Sequence, residues 1–365
     1  MKPVTEDELG ETVRQAKAPL AIRGGGTRLT GLAGEALSVA GLRGITLYEP
    51  GALTMVAQAG TPLAEIEAAL AAENQRLAFE PMDHRGLLGT QGAPTIGGVF
   101  ATNTSGPRRV QAGAARDFLL GVRYIDGMGQ AIKNGGRVMK NVTGYDLVKL
   151  MAGSWGTLGV LSEVSFKVLP RPETEATLRF AVDGAGAAVR LLSAALGSPF
   201  EVSGAAYDPA QGAALVRIEG FGDSVTYRAG RLTALLGAAE LVEAAASSAL
   251  WAALRDVAPF QGQGGDVWRL SCKPSQAPEV AARLGAEALL FDWGGGLIWA
   301  RVAEGTDLRA RAGSYDGHAT LIRATPETRA RLAMFQPQPA PLAALAAGLR
   351  AKFDPKGIFN PGLMG

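Results

Sequence analysis

Three glycine-dense stretches in the first 165 residues constrain this chain more than any other feature. Residues 22–31 read IRGGGTRLTG, residues 95–107 TIGGVFATNTSGP and residues 153–163 GSWGTLGVLSE. Glycine has no Cβ, so its backbone can approach another backbone or a ligand closely and can enter φ > 0 at little cost. Thr, Ser and Asn, which surround these glycines, bring hydroxyls and amides and favour turns over element interiors. The chain must therefore press three polar loops against something.

The first loop follows the short apolar run PLAI, which reads as a strand. Gly26 and Gly31 have the glycine spacing of a phosphate-binding P-loop, but Leu32 and Ala33 stand where its lysine and hydroxyl residue belong. A Rossmann fingerprint also fails: Leu29 occupies its third glycine position, and the following LAGEALSVAG is not helical. Two readings remain. One is a nest of successive backbone N–H groups that binds an anion, helped by the Thr27 and Thr30 hydroxyls. The other is a plain turn between strands. Three such loops together suit a large cofactor with a pyrophosphate, a ribityl chain and a flat ring.

Composition narrows the chemistry. The 365 residues carry 36 Lys and Arg against 34 Asp and Glu, a formal charge of +2 that leaves no footprint for nucleic acid. The single cysteine, Cys272, cannot form an internal disulfide or hold an iron–sulfur cluster. It reads as a small buried hydrophobe, and redox chemistry would need an organic cofactor or a partner's metal. The N-terminal MKPVTEDELGETVRQA has no apolar signal core, and no window reaches the roughly 18 apolar residues of a membrane span. A cytoplasmic protein is expected, with attachment to the inner face of the membrane only through partners.

The pattern along the chain predicts an α+β protein. After ALSVAG, GITLYEP and LTMVAQAG, which read as strands, TPLAEIEAALAAENQRL reads as an amphipathic helix, with Thr61 as N-cap and Pro62 first. Residues 79–117 are loop-rich without clear periodicity, and FLLGVRYIDGMGQAI reads as a hairpin turning at Asp126-Gly127. Glycine thins after PRPE. Eight strand candidates then alternate with four helices, as in a mainly antiparallel sheet covered by helices. The expected divisions are 1–170, 171–335 and a C-terminal segment, 336–365, that returns to the first.

The three loops, in this order, resemble the FAD domain of the vanillyl-alcohol-oxidase (PCMH) type. RGGGTRLTG is similar to its pyrophosphate loop and PTIGGVFATNTSGP to its second cofactor segment. NVTGYDLVKLMAGSWGTLGVLSEVSFKV is similar to its closing segment, and FDPKGIFNPG to its C-terminal tail. In the second half DVWRLSCKP, FDWGGGLIWARV and GHATLIRA resemble the FAD-binding E subunit of bacterial glycolate oxidase. The resemblance implies FAD contacts at Arg23, Gly24, Gly25, Gly26, Thr27 and Gly31 in the first loop. It implies Thr95, Gly97, Gly98, Asn103, Ser105 and Gly106 in the second and Gly156, Gly159 and Val160 in the third. Pro81 and Asp83 are expected near the ring, and Asn360 as the tail contact. Covalent members of the fold carry a histidine where this chain has Gly26, which implies non-covalent FAD. The implied partners are a larger FAD-binding catalytic subunit and an iron–sulfur subunit, and the implied reaction is oxidation of glycolate to glyoxylate.

Oxidising a 2-hydroxy acid needs a base near the hydroxyl and an arginine for the carboxylate. The larger flavin subunits of this kind carry a histidine cluster, but this chain has only His84 and His318, which read as surface or structural residues. Arg85, Arg108, Arg109 and Arg323 are the candidate carboxylate clamps, and the sequence leaves the choice among them open. The tryptophans Trp251, Trp268, Trp293 and Trp299 read as core or interface residues. Three functions follow: a flavin subunit acting within a glycolate oxidase complex, a self-sufficient 2-hydroxy-acid dehydrogenase, or an assembly subunit without flavin.

Overall fold

Short, largely apolar segments within residues 45–58, 119–135 and 160–167 build a five-stranded antiparallel sheet. A computed structural model describes residues 1–137 and 144–364. The sheet runs in the order Ile45–Glu49, Thr54–Gln58, Val160–Lys167, Leu119–Ile125, Ala131–Gly135. Phe79, Phe100, Phe118 and Phe166 pack ring to ring in its core, with centroids 5.4 to 5.7 Å apart. Beside it a parallel pair, Leu20–Arg23 with Glu35–Ser38, leads straight into the first glycine loop.

The helix after Thr61 spans Leu63–Ala72, shorter than the pattern predicts. Asn74 takes a left-handed backbone, φ 52°, and Gln75–Arg76 becomes a strand against Leu169–Pro170. Pro62, not Thr61, sits at the cap; the Thr61 hydroxyl instead donates to Gln58 O at 2.7 Å and accepts from the Gly44 amide. Four short helices interrupt residues 79–117, namely Arg85–Leu88, Ile96–Ala101, Arg109–Ala112 and Ala115–Phe118. Each is one or two turns long, too short for a periodic pattern to register. Residues Asn141, Val142 and Thr143 of the third expected segment lie outside the described residues.

The second half forms an eight-stranded antiparallel sheet. Its order is Glu240–Glu243, Thr174–Ala181, Ala213–Gly220, Gly204–Asp208, Ala288–Asp292, Leu297–Val302, Asp266–Cys272, Gly317–Arg323. Alternate residues of each strand point to opposite faces. One face, with Leu178, Val216, Trp268, Leu270, Phe291 and Ile298, buries itself under the helices Gly184–Leu196, Gly222–Leu236 and Ala277–Arg283. Cys272 lies in that core, and burial pushes its thiol up to about 11. The other face, with Leu215, Val267, Leu290, Leu297 and Trp299, packs on Trp251 and on Met82 and Leu87 of the first half.

The two halves are tied by a buried ion network. Glu80 accepts from Arg217 and Arg108 at 2.8 and 2.9 Å, and Glu219 accepts from Arg108 and Arg76, both at 2.7 Å. The neighbouring guanidiniums hold both carboxyls below their ordinary range despite burial. After the exposed helix Ala340–Phe353 the tail returns to the first half. Leu20 bridges Phe359, and the Lys356 ammonium donates to the carbonyls of Val13 and Arg14. Among the described residues no helix is long and apolar enough to cross a membrane.

Candidate functional site

The three glycine loops converge on one open cleft. Arg23, Gly24, Gly25, Gly26, Thr27, Thr95, Gly97, Gly98, Gly156, Gly159 and Val160 line it. The glycines have two distinct jobs. A Cβ on Gly24 would collide with the Thr95 hydroxyl, and one on Gly25 with the Ala93 carbonyl oxygen. These two residues let the first loop lie directly on the second. Gly26 has φ 71° and nothing within 4 Å of where its Cβ would be, so there glycine serves the backbone turn and leaves open space.

Among the described residues no protein acceptor takes the amides of Gly25, Gly26 or Thr27. Beside them lies Arg28, which the sequence reading did not single out. Its Nε and Nη2 are buried without a hydrogen-bond partner, and burial lowers its pKa to about 10. Three unpaired amides and an unpartnered guanidinium at one cleft wall form a site for an anion with several oxygens. A dinucleotide pyrophosphate meets that donor set, so the residues present fit the cofactor that the loops imply.

Seven other expected contacts lie elsewhere, and in five of them the chain itself uses the polar groups. The Asn360 carboxamide accepts from the Ile22 amide at 2.7 Å and donates to Trp155 O at 2.8 Å, as a strut between two walls of the cleft. Asn103 accepts from the Arg116 amide, and Ser105 accepts from the Ala115 amide. The Gly106 carbonyl takes the Trp293 indole N–H at 3.1 Å. Asp83 pairs with Arg85, Pro81 is buried beside the ion network, and Gly31 is exposed. None of these seven lines the cleft. Residues missed by the sequence reading complete it: Val39, Ala59, Ala101, Thr102, Trp155 and Leu161. Most of these are aliphatic residues, which carry no sequence signal of their own.

A second polar cluster lies where the eight-stranded sheet faces the first half. Register places Arg269 opposite Trp299 and Thr320, and Ser271 opposite Leu297 and His318, all on the face turned toward Met82 and Leu87. The guanidiniums of Arg109 and Arg269 both lie over the Trp293 ring, 4.6 and 5.0 Å from its centroid. Burial and mutual repulsion lower Arg269 to about 10, and the same two arginines, after burial, hold the His318 pKa down. Buried Asp292, which accepts the Trp293 amide at 2.7 Å, is pushed up to about 7 by desolvation. His84 is buried against the Met82 carbonyl, and burial drops its pKa to about 3, so it is neutral at pH 7. No group of three or more metal-ligating side chains occurs among the described residues.

Residues 1–135 match a family model described as an FAD binding domain. The chain is 40% identical over 362 residues, 97% of its length and 95% of the relative's, to the glycolate oxidase subunit GlcE of Escherichia coli. It is 31% identical to the glycolate oxidase subunit GlcD of Bacillus subtilis over 199 residues, 52% of this chain and 41% of that one. Among solved structures, an alkyldihydroxyacetonephosphate synthase superposes with a TM-score of 0.69 at 15% identity, covering 99% of this chain and 76% of its own. That likeness gives the PCMH-type fold.

Proposed function

The chain belongs to the family of the glycolate oxidase subunit GlcE, and on that premise we propose that it binds FAD non-covalently and supports oxidation of glycolate to glyoxylate inside a glycolate oxidase complex. The observation that carries the cofactor reading is the run of unpaired amides at Gly25, Gly26 and Thr27 beside the buried, unpartnered Arg28. Arg28 and these amides would hold the pyrophosphate, and Thr95 fixes the loop wall by accepting the Gly98 amide. Bound FAD would supply the hydride acceptor for a C–H bond next to a hydroxyl. The resemblance supports non-covalent binding, since covalent members of the fold carry a histidine where this chain has Gly26.

The partners in this reading are a larger flavin subunit, as the likeness to GlcD suggests, and an iron–sulfur subunit that carries electrons onward. The chain has two histidines, His84 and His318, and no group of three or more metal-ligating side chains among its described residues. That favours action within a complex over a self-sufficient dehydrogenase. The intact cleft weighs against an assembly subunit without flavin.

The test is the visible spectrum of the purified chain supplied with FAD, followed anaerobically as glycolate is added. A retained flavin band that glycolate does not bleach, but does bleach once the larger subunit is added, is the expected result. Bleaching by the chain alone would replace this reading with the self-sufficient enzyme. A chain that takes up no FAD would leave only the assembly role. Acid precipitation should release the flavin into the supernatant, since no covalent link is expected.

A further inference from the structure

We propose that Arg109 and Arg269, gathered over the indole of Trp293, bind the carboxylate of a small acid at the junction of the two halves. The inference rests on the reading of the chain as a flavin protein acting on 2-hydroxy acids, and it adds the residues that would recognise the acid group.

The candidate clamps sort themselves by their partners. Arg85 is half exposed and paired with Asp83 at 2.7 Å. Arg108 is saturated by Glu80, Glu219 and the Ala78 carbonyl. Arg323 donates to the carbonyls of Leu87, Phe260 and Gln263. Arg109 alone of the four makes no side-chain hydrogen bond or ion pair among the described residues, and the same is true of Arg269.

The two free guanidiniums come from different places. Arg109 opens a short helix of the first half, and Arg269 lies in the middle of a strand of the eight-stranded sheet. The Trp293 indole that both cover is anchored to the first half through its N–H bond to Gly106 O. Two like charges at one ring repel each other, and that arrangement is stabilised when an anion lies between or beside them. Asp292 acts on Arg269 and Asp117 on Arg109 through charge, but neither bonds to a guanidinium, and the raised pKa of Asp292 leaves it only partly ionised near neutrality. Around Arg269, the register adds Ser271, Thr320 and His318 on the same face, which are hydroxyl and imidazole donors. A planar fork of N–H donors matches a carboxylate in a bidentate way, and apolar Leu297 and Trp299 on the same face limit the space beyond it.

The direct test is calorimetric titration of oxalate, an acid with no C–H bond to oxidise, into the full chain supplied with FAD. Wild type should bind it. Arg269→Gln and Arg109→Gln should each weaken binding at least tenfold, and Arg85→Gln should leave it unchanged. Arg269→Lys and Arg109→Lys keep the charge but lose the fork; they guard against misfolding of the Gln variants and should fall between. The flavin absorbance of each sample reports the cofactor reading separately, so a colourless chain that still binds oxalate through these arginines separates the two. Oxalate binding that survives in both Gln variants, absence of binding by the wild type, or equal affinity for inorganic phosphate would each overturn the assignment.

Discussion

Arg108 and Arg109 are neighbours in sequence and opposites in the structure. Arg108 turns into the buried network, where Glu80 and Glu219 take its guanidinium between Arg217 and Arg76. Arg109 turns toward Trp293 and meets Arg269, with no acid bound to either. Both clusters lie between the two halves and both draw arginines from each half. The first is closed on itself and holds the halves in register. The second, like Arg28 in the cleft, holds guanidiniums that no carboxylate bonds to among the described residues. A saturated cluster argues for architecture, and an unsaturated one argues for a ligand.

The sharpest break in that comparison is at Arg217. It is 1% exposed and reaches Glu80 through two nitrogens, at 2.9 and 2.8 Å, while covering the Trp251 ring. Arg217→Met leaves two buried carboxylates facing fewer cations, and removing one partner of a buried pair typically costs about 3–5 kcal/mol. The midpoint of urea unfolding should fall accordingly. The same network predicts a pH dependence. Glu80 and Glu219 have lowered pKa values in the fold, so their contribution is full above the ordinary glutamate pKa and is lost as pH falls below it. Arg217→Met should therefore flatten the acid limb of the stability curve.

Arg28→Gln should behave in the reverse way. Its buried Nε and Nη2 have no protein partner to lose, so unfolding stability should change little or rise. A charge-assisted hydrogen bond is worth about 1.5–3 kcal/mol, so FAD affinity should drop about 10- to 100-fold by equilibrium dialysis. A variant that loses stability and keeps its flavin would place Arg28 with the architecture and remove the main support for the pyrophosphate site.

Much of this contrast was invisible in the sequence for a physical reason. The glycine loops and the eight strands of the second half are local signals, carried by residues within a few positions of one another, and the structure contains all of them. The helix ends after Ala72, where one left-handed Asn74 outweighs a continuing apolar pattern. The fate of an arginine is a distant property. Glu219, which holds Arg108, stands 111 positions along the chain, and nothing near PRR tells the first arginine from the second. Arg269 was likewise hidden inside DVWRLSC, where its neighbours point into the core. Asn103, Ser105 and Asn360 sit in motifs that resemble cofactor segments, yet their side chains brace those segments from behind.

Asp292 gives a smaller test at the unsaturated cluster. Its carboxyl is raised to about 7 by desolvation, so in the fold it prefers to be protonated. A raised pKa gives stability that is full below the ordinary aspartate value and is lost as pH rises through about 7. Asp292→Asn removes that loss. Relative to wild type it should be more stable at pH 8 than at pH 5, a trend opposite in sign to the acid limb set by Glu80 and Glu219. Equal pH profiles for wild type and variant would show that Arg109 and Arg269 already keep Asp292 ionised, and would place the negative charge of that cluster on the protein.

The smallest effect expected is at Gly26, and it restates the comparison in the backbone. Gly25 is enclosed by the protein, because any side chain would meet Ala93, whereas Gly26 faces open space at φ 71°. Gly26→Ala meets no neighbour, so its only cost is the left-handed backbone, about 1–2 kcal/mol. Unfolding should shift by that amount, with the loop still formed. If the three amides at Gly25, Gly26 and Thr27 face the cofactor, the added methyl also stands at the ligand's edge, and FAD affinity should fall by more than stability does. Equal losses in both would mean that the open space beside Gly26 is solvent and that the anion sits against Arg28 alone.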